Sequence, residues 1–204
     1  KRDDNPVLIA ETGGQNAMIV DSTALPEQVC LDVLNSAFDS AGQRCSALRI
    51  LCVQEDVADN MVNILKGAMD ELVVGKPTQL TTDVGPVIDA EAQQNLLAHI
   101  NRMKGVAKAY HEVKTAADVD SNNSTFVRPI LFELNNLNEL QREVFGPVLH
   151  VVRYRASELD QLIDQINAKG YALTSGVHSR IEGTVDHIRD RIEAGNIYVN
   201  RNIV

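Results

Sequence analysis

The segment Ser40-Ala41-Gly42-Gln43-Arg44-Cys45-Ser46-Ala47 places a lone cysteine, behind a glycine and among small or polar residues, between an apolar helical run and a β-rich run. A thiol kept for packing is usually surrounded by Leu, Ile and Val and is inert, whereas a reactive one needs local polarity or donors that lower its pKa. Cys45 has such neighbours and is the candidate nucleophile. Upstream, Ala10-Glu11-Thr12-Gly13-Gly14-Gln15-Asn16 carries an acidic residue out of a short apolar strand into a Gly-Gly turn, where the backbone can approach a ligand closely. Glu11 is the natural partner of Cys45. About one strand–helix unit separates the two, and an α/β crossover of that length would bring them to the same sheet edge. A second candidate is Arg142-Glu143-Val144-Phe145-Gly146-Pro147-Val148. Glu143 and Phe145, two residues apart, point the same way in an extended chain, and Gly-Pro fixes the turn behind them, although ordinary turns also look like this.

The other chemistry-bearing residues read as structural. Cys30 and Cys52 lie inside regular apolar elements with no polar turn beside them, so packing is their role. His99, His111, His150, His178 and His187 show no HxxxH or HxH spacing, which indicates no metal site and single surface or satisfied core histidines. The overlapping sequons in Asn122-Asn123-Ser124-Thr125 read as a polar turn.

The whole-chain quantities narrow the partners. A 204-residue chain with 44% hydrophobic residues can bury one sizeable core, and residues 1–204 read as a single domain. With 19 basic against 28 acidic residues and no basic cluster or helix face, the net charge of -9 argues against a nucleic-acid or anionic-membrane surface. A small-molecule partner is expected instead. Three cysteines without framework spacing or a CxxC pair point to a reducing compartment. No apolar run approaches the roughly 18 residues that span a bilayer, and Lys1 to Pro6 contain no signal-peptide core, so the expected location is cytoplasmic.

The elements that must position Cys45 follow from apolar periodicity. Val7–Ala10 and Ala17–Val20 are unalternated apolar runs, the pattern of parallel strands covered on both faces. Val29, Val33, Leu34, Ala37 and Phe38 have helical spacing over Leu25–Phe38, with Pro26 and Glu27 suited to a first turn. This helix delivers the chain to Gly42 and Cys45. Leu48–Val53 is expected as a strand and Val57–Val74 as a helix with Met61, Ile64, Leu65, Met69, Leu72 and Val73 along one stripe. Residues 75–86 form a turn-rich surface excursion, followed by a helix over Ala90–Met103, a strand over Lys108–Val113 and a mobile polar stretch over Thr115–Ser124. Extended structure resumes over Phe126–Leu134, where Pro129 fits only an edge or an end. A short helical patch leads to strands at Leu149–Tyr154, Leu173–Ser179 and Ile197–Val199, alternating with helices at Leu159–Ala168, closed by Gly170, and Thr184–Ile192. The alternation predicts an α/β fold with an open, doubly wound, mostly parallel sheet.

Four segments in order, Glu11-Thr12-Gly13-Gly14-Gln15-Asn16, Gly42-Gln43-Arg44-Cys45, Glu143-Val144-Phe145-Gly146-Pro147 and Gly195-Asn196-Ile197-Tyr198-Val199-Asn200, resemble signatures of the aldehyde dehydrogenase superfamily over essentially the whole chain. Ala17–Asp21, Arg44–Arg49 and Tyr198–Asn202 look like its glutamate-semialdehyde (pyrroline-5-carboxylate) dehydrogenase branch, of the kind found in bacterial bifunctional proline-utilising proteins. The resemblance implies a catalytic domain that uses NAD to oxidise L-glutamate γ-semialdehyde to L-glutamate through a thiohemiacetal and a thioester on Cys45. It implies that Glu11 is the general base, that Glu143 holds the nicotinamide ribose hydroxyls, that Phe145 lies beside the nicotinamide ring, that Thr12 and Gly13 belong to the cofactor side, and that Ser46 meets the substrate. No metal is implied. FAD belongs only to a separate upstream proline dehydrogenase domain. The family's cofactor-binding half would precede residue 1 and its substrate-carboxylate loop and oligomerisation strand would follow Val204. The expectation is therefore a homo-oligomeric parent and a chain that is inactive by itself. A dehydrogenase for another aldehyde, or a folded domain without catalytic role, stays open as an alternative.

Overall fold

The computed structural model describes Val7 and residues 13–114, 124–170 and 172–204. Glu11, Thr12, the expected first strand beyond Val7 and the polar stretch 115–123 lie outside the described residues. Twelve longer elements follow one another as β1 (Ala17–Val20), α1 (Pro26–Phe38), β2 (Ile50–Gln54), α2 (Glu55–Asp70), α3 (Ala90–Lys104), β3 (Ala109–Glu112), β4 (Ile130–Leu134), β5 (Val148–Tyr154), α4 (Leu159–Asn167), β6 (Thr174–His178), α5 (Glu182–Arg191) and β7 (Asn196–Val199). The strands form one sheet in the order β3-β4-β5-β2-β1-β6-β7. Every described pairing is parallel except β3 on β4, where Ala109 faces Glu133. The α/β, mostly parallel reading therefore holds.

Every residue of β1, β2, β4 and β6 is buried, as the unalternated apolar runs require of a sheet covered on both faces. In α2 the buried Ala58, Met61, Val62, Leu65 and Met69 repeat at three- and four-residue steps. This helix is shorter than its apolar stripe suggests. It stops at Asp70, and Val73 instead accepts from the N–H groups of Asp83 and Val84, which fastens the surface excursion back onto the helix end. β4 likewise begins only after Pro129, which has no N–H for a ladder and serves as an acceptor for Val113 N–H.

One consequence of parallelism governs the site. The segments entering β1, β2, β5 and β6 all lie at the amino ends of their strands, so Gly13–Asn16, Gln43–Arg49, Glu143–Pro147 and Leu173 gather at one edge of the sheet. Ligands of open α/β sheets usually sit beyond the carboxyl ends. Here the candidate residues lie at the opposite edge.

Two histidines depart from the reading of each as isolated. His99 on α3 and His150 on β5 approach to 3.0 Å between their Nε2 atoms, inside the core against Phe132. His150 Nδ1 lies 3.1 Å from the Arg49 carbonyl and so carries a proton toward it, which leaves its Nε2 to accept from His99. The pair is neutral. Burial, reinforced by Arg102 and Arg142, pushes His99 down to about 4, while burial, His99 and the nearby arginines push His150 to about 3. Unfolded imidazoles bind protons below about 6.5 that the folded pair refuses, so stability is complete above that pH and falls as pH drops toward about 4. Urea unfolding should show this loss between about pH 7 and about pH 5, with a shallower slope in the His99→Leu/His150→Leu double variant. Equal slopes would assign the acid response to other groups.

Candidate active site

The chain leaves α1 by an unusual turn. Ser40, Ala41 and Gly42 have φ of 54°, 53° and 66°, three consecutive left-handed residues of which only the last is glycine. Such a conformation costs a side-chain-bearing residue about 1–2 kcal/mol, so the surroundings must enforce it. A Cβ on Gly42 would lie 2.2 Å from the Gly146 carbonyl oxygen, which shows how closely this turn abuts the segment entering β5.

Beyond the turn, the carbonyls of the cysteine loop are claimed one after another. The Asn16 amide donates to the carbonyls of Cys45 (2.7 Å) and Ala47 (2.8 Å), while its oxygen accepts from Leu173 and Thr174 N–H at 3.0 Å each. Thr174 Oγ1 donates to the Ser46 carbonyl at 3.0 Å. The Arg49 guanidinium donates to Gly42 (2.6 Å) and Arg44 (3.0 Å). The carbonyls are thereby held from within, and Cys45 stands exposed on the outer side. Its own N–H makes no hydrogen bond among the described residues.

The Glu143–Pro147 segment lies against this loop. Glu143 Oε1 accepts from Arg49 Nη2 at 3.1 Å and Nε at 3.3 Å, and the Phe145 ring centroid lies 5.0 Å from the guanidinium carbon. The expectation that these two side chains face the same way is met through Arg49. Gly13 adjoins them, since a Cβ there would fall 1.9 Å from Glu143 Oε2, and any larger residue would displace the carboxylate. A cleft of about 280 Å³ opens beside them, lined by Gln43, Ile88, Leu96, His99, Glu143 and Phe145 among others. Thus the structure unites Cys45, Ser46, Gly13, Glu143 and Phe145 at one sheet edge, while Glu11 and Thr12 lie outside the described residues. No cluster of metal-ligating side chains exists among the described residues.

Asn16, Arg49 and Thr174 hold the cysteine loop, and sequence reasoning assigned none of them a role. A signal existed for Arg49, a charge inside the apolar run Leu48-Arg49-Ile50-Leu51, because an arginine in a covered strand demands partners. Its burial is complete, which draws the guanidinium pKa down, and the charge and hydrogen bond of Glu143 oppose that shift. Asn16 and Thr174 carry no such signal, being ordinary polar residues just before β1 and at the start of β6.

The three cysteines separate as their environments predict. Cys30 and Cys52 are buried, and burial raises both thiols, Cys52 to about 12, whereas Cys45 is exposed. Brief iodoacetamide treatment of the folded protein followed by peptide mapping should find label on Cys45 alone. Preferential label on Cys30 or Cys52 would contradict this assignment.

A family model described as "Aldehyde dehydrogenase family" matches residues 3–204. The chain is 57% identical over 200 residues to the bifunctional protein PutA of Klebsiella aerogenes, covering 97% of this chain and 15% of that protein's length. A crystal structure of a bifunctional proline utilization A protein superposes with a TM-score of 0.92 at 55% identity, over 99% of this chain and 20% of that one. A 1-pyrroline-5-carboxylate dehydrogenase from Thermus, solved with bound NAD, superposes with a TM-score of 0.84 at 31% identity, over 95% of this chain and 37% of that one.

Proposed function

The chain belongs to the aldehyde dehydrogenase family, and on that premise we propose that the complete protein oxidises L-glutamate γ-semialdehyde to L-glutamate with NAD, as a step of proline catabolism. The observation that carries this reading is the exposed Cys45 on a loop held from within, with Glu143 and Phe145 fixed at its flank through Arg49. The similarity to PutA and to 1-pyrroline-5-carboxylate dehydrogenase supports the substrate.

The residues fit NAD in one testable respect. Glu143 is a carboxylate with one oxygen braced by Arg49 and the other packed over Gly13, whose missing side chain admits it, and the half-exposed Phe145 ring lies at the cleft. Glu143 would hold ribose hydroxyls and Phe145 would lie beside the nicotinamide. When bound, NAD supplies the acceptor for the hydride lost from the substrate carbon. The chain's own chemistry surrounds that event. Cys45 Sγ attacks the aldehyde carbon, giving a thiohemiacetal whose oxyanion meets the Cys45 N–H. After oxidation the carbon is a thioester, an acyl donor that water can attack. Glu11 takes the proton from that water, the C–S bond breaks, and the acid leaves with Cys45 regenerated. Ser46, next in the chain and half-buried, would meet the same aldehyde.

The test is NADH formation by the complete protein across a panel of semialdehydes and simple aldehydes. Turnover fastest with glutamate γ-semialdehyde supports the reading. A strong preference for another aldehyde would keep the family chemistry and replace the substrate.

A further inference from the structure

Among the buried charges of the chain, Arg49 reaches furthest into two separate parts of the proposed site. Its side chain is completely buried. Nη1 donates to the carbonyls of Gly42 (2.6 Å) and Gly146 (3.5 Å), Nη2 to the carbonyl of Arg44 (3.0 Å) and to Glu143 Oε1 (3.1 Å), and Nε to the same Glu143 oxygen (3.3 Å). Gly42 and Arg44 belong to the segment that ends in Cys45. Gly146 and Glu143 belong to the segment entering β5. The backbone of Arg49 is held as well, since its N–H donates to Asn16 and its carbonyl accepts from His150 N–H at 3.0 Å.

Burying an arginine in a parallel sheet is costly, and an apolar residue of similar volume often gives equal or greater stability. The charge must therefore serve something other than packing. A guanidinium is planar and its five donors keep fixed relative directions, so a change in where one partner sits alters the fit to all the others. A lysine ammonium could not bridge four acceptors in this way.

We propose, resting on the dehydrogenase reading, that Arg49 is a positioning residue that couples the Glu143 carboxylate to the nucleophile loop, so that Cys45 reacts at its full rate only while Glu143 is in place. The coupling gives the proposed cofactor-contacting carboxylate a route to the thiol through a single rigid side chain. Glu143 touches ribose in the proposed function, and its two hydrogen bonds from Arg49 tie it to the turn that this fork braces.

The test uses the complete protein without NAD or aldehyde and measures the rate at which iodoacetamide alkylates Cys45. Glu143→Gln and Arg49→Lys are each expected to slow alkylation by about tenfold, and the double variant also by about tenfold rather than about a hundredfold, because both changes weaken the same charge-assisted link, Gln by removing the charge and Lys by removing the fork. A Glu143→Gln rate within about twofold of the parent, or an additive double variant, would overturn the coupling. A purely structural arginine would leave the Glu143→Gln rate untouched. If Arg49→Lys shows no cooperative thermal transition, Glu143→Gln and Glu143→Asp decide alone: slowed alkylation in both supports the proposal, and a parental rate in both removes it. These arms need neither cofactor nor substrate. Failure to oxidise any aldehyde would sink the dehydrogenase reading and leave this result standing, while normal turnover with unchanged alkylation would do the reverse.

Discussion

Replacing Cys45 with alanine in the complete protein is expected to lower the turnover number for aldehyde oxidation by about 10⁴-fold or more while leaving NAD affinity within about twofold. The thiol forms and breaks the bond to the substrate carbon in every proposed step, so no other group in the loop can substitute for it. Arg44 and Ser46 flank it, yet a serine hydroxyl without an adjacent base is a far weaker nucleophile at neutral pH. The supports of the loop, Asn16, Thr174 and Arg49, grip backbone carbonyls and not the thiol. Their geometry should therefore survive the substitution, and with it the Glu143 and Phe145 contacts proposed for the cofactor. NADH absorbance and calorimetric titration with NAD check the two halves. Residual turnover above about one part in a hundred would remove Cys45 from the chemistry. Glu11→Gln gives the informative contrast. If its carboxylate serves mainly to activate water, NADH should appear in a single burst and then stall as acyl-enzyme accumulates, whereas normal steady turnover would exclude Glu11.

Asn16→Ala is expected to be the most damaging polar substitution in the described structure. One amide satisfies four backbone groups, the carbonyls of Cys45 and Ala47 and the N–H groups of Leu173 and Thr174, and Asn16 itself is fully buried. Alanine leaves those groups in an interior with little access to water, at about 1 kcal/mol or more apiece, so a loss of about 3–5 kcal/mol is expected. The same change frees the cysteine loop from the segment entering β6, and turnover should fall by about a hundredfold even below the melting temperature. Asn16→Asp should be worse still. It retains the acceptor toward Leu173 and Thr174 but turns the donor into a negative charge facing two carbonyl oxygens. Urea unfolding and steady-state turnover on the same preparations measure both effects. A stability loss under about 1 kcal/mol for Asn16→Ala would show that water or backbone shifts replace the amide.

Much of this architecture was legible from local pattern alone. The runs Ala17–Val20 and Leu48–Val53 announced covered strands, and the spacing of Val29, Val33, Ala37 and Phe38 announced α1. Cys45 stood apart from Cys30 and Cys52 because only its neighbours were polar, and burial separates the three in the same way. Glu143 and Phe145 were visible as a pair two residues apart. These are properties of a few adjacent side chains, and period and polarity report them directly.

What the sequence could not contain is the set of contacts made across large separations in the chain. Arg49 meets Glu143 across 94 positions, Asn16 meets Thr174 across 158, and His99 meets His150 across 51. None of these partnerships shows in the residues adjacent to either member. The left-handed turn at Ser40 and Ala41 is equally silent, because neither residue favours that conformation and only packing against Gly146 and the held carbonyls imposes it. The support beneath the candidate site belongs here too. Alternating strands and helices determine that the sheet is mostly parallel, and parallelism gathers the entering segments at one end and the leaving segments at the other. Only three-dimensional packing put a buried guanidinium and a buried amide beneath those amino-end loops and left Cys45 exposed above them.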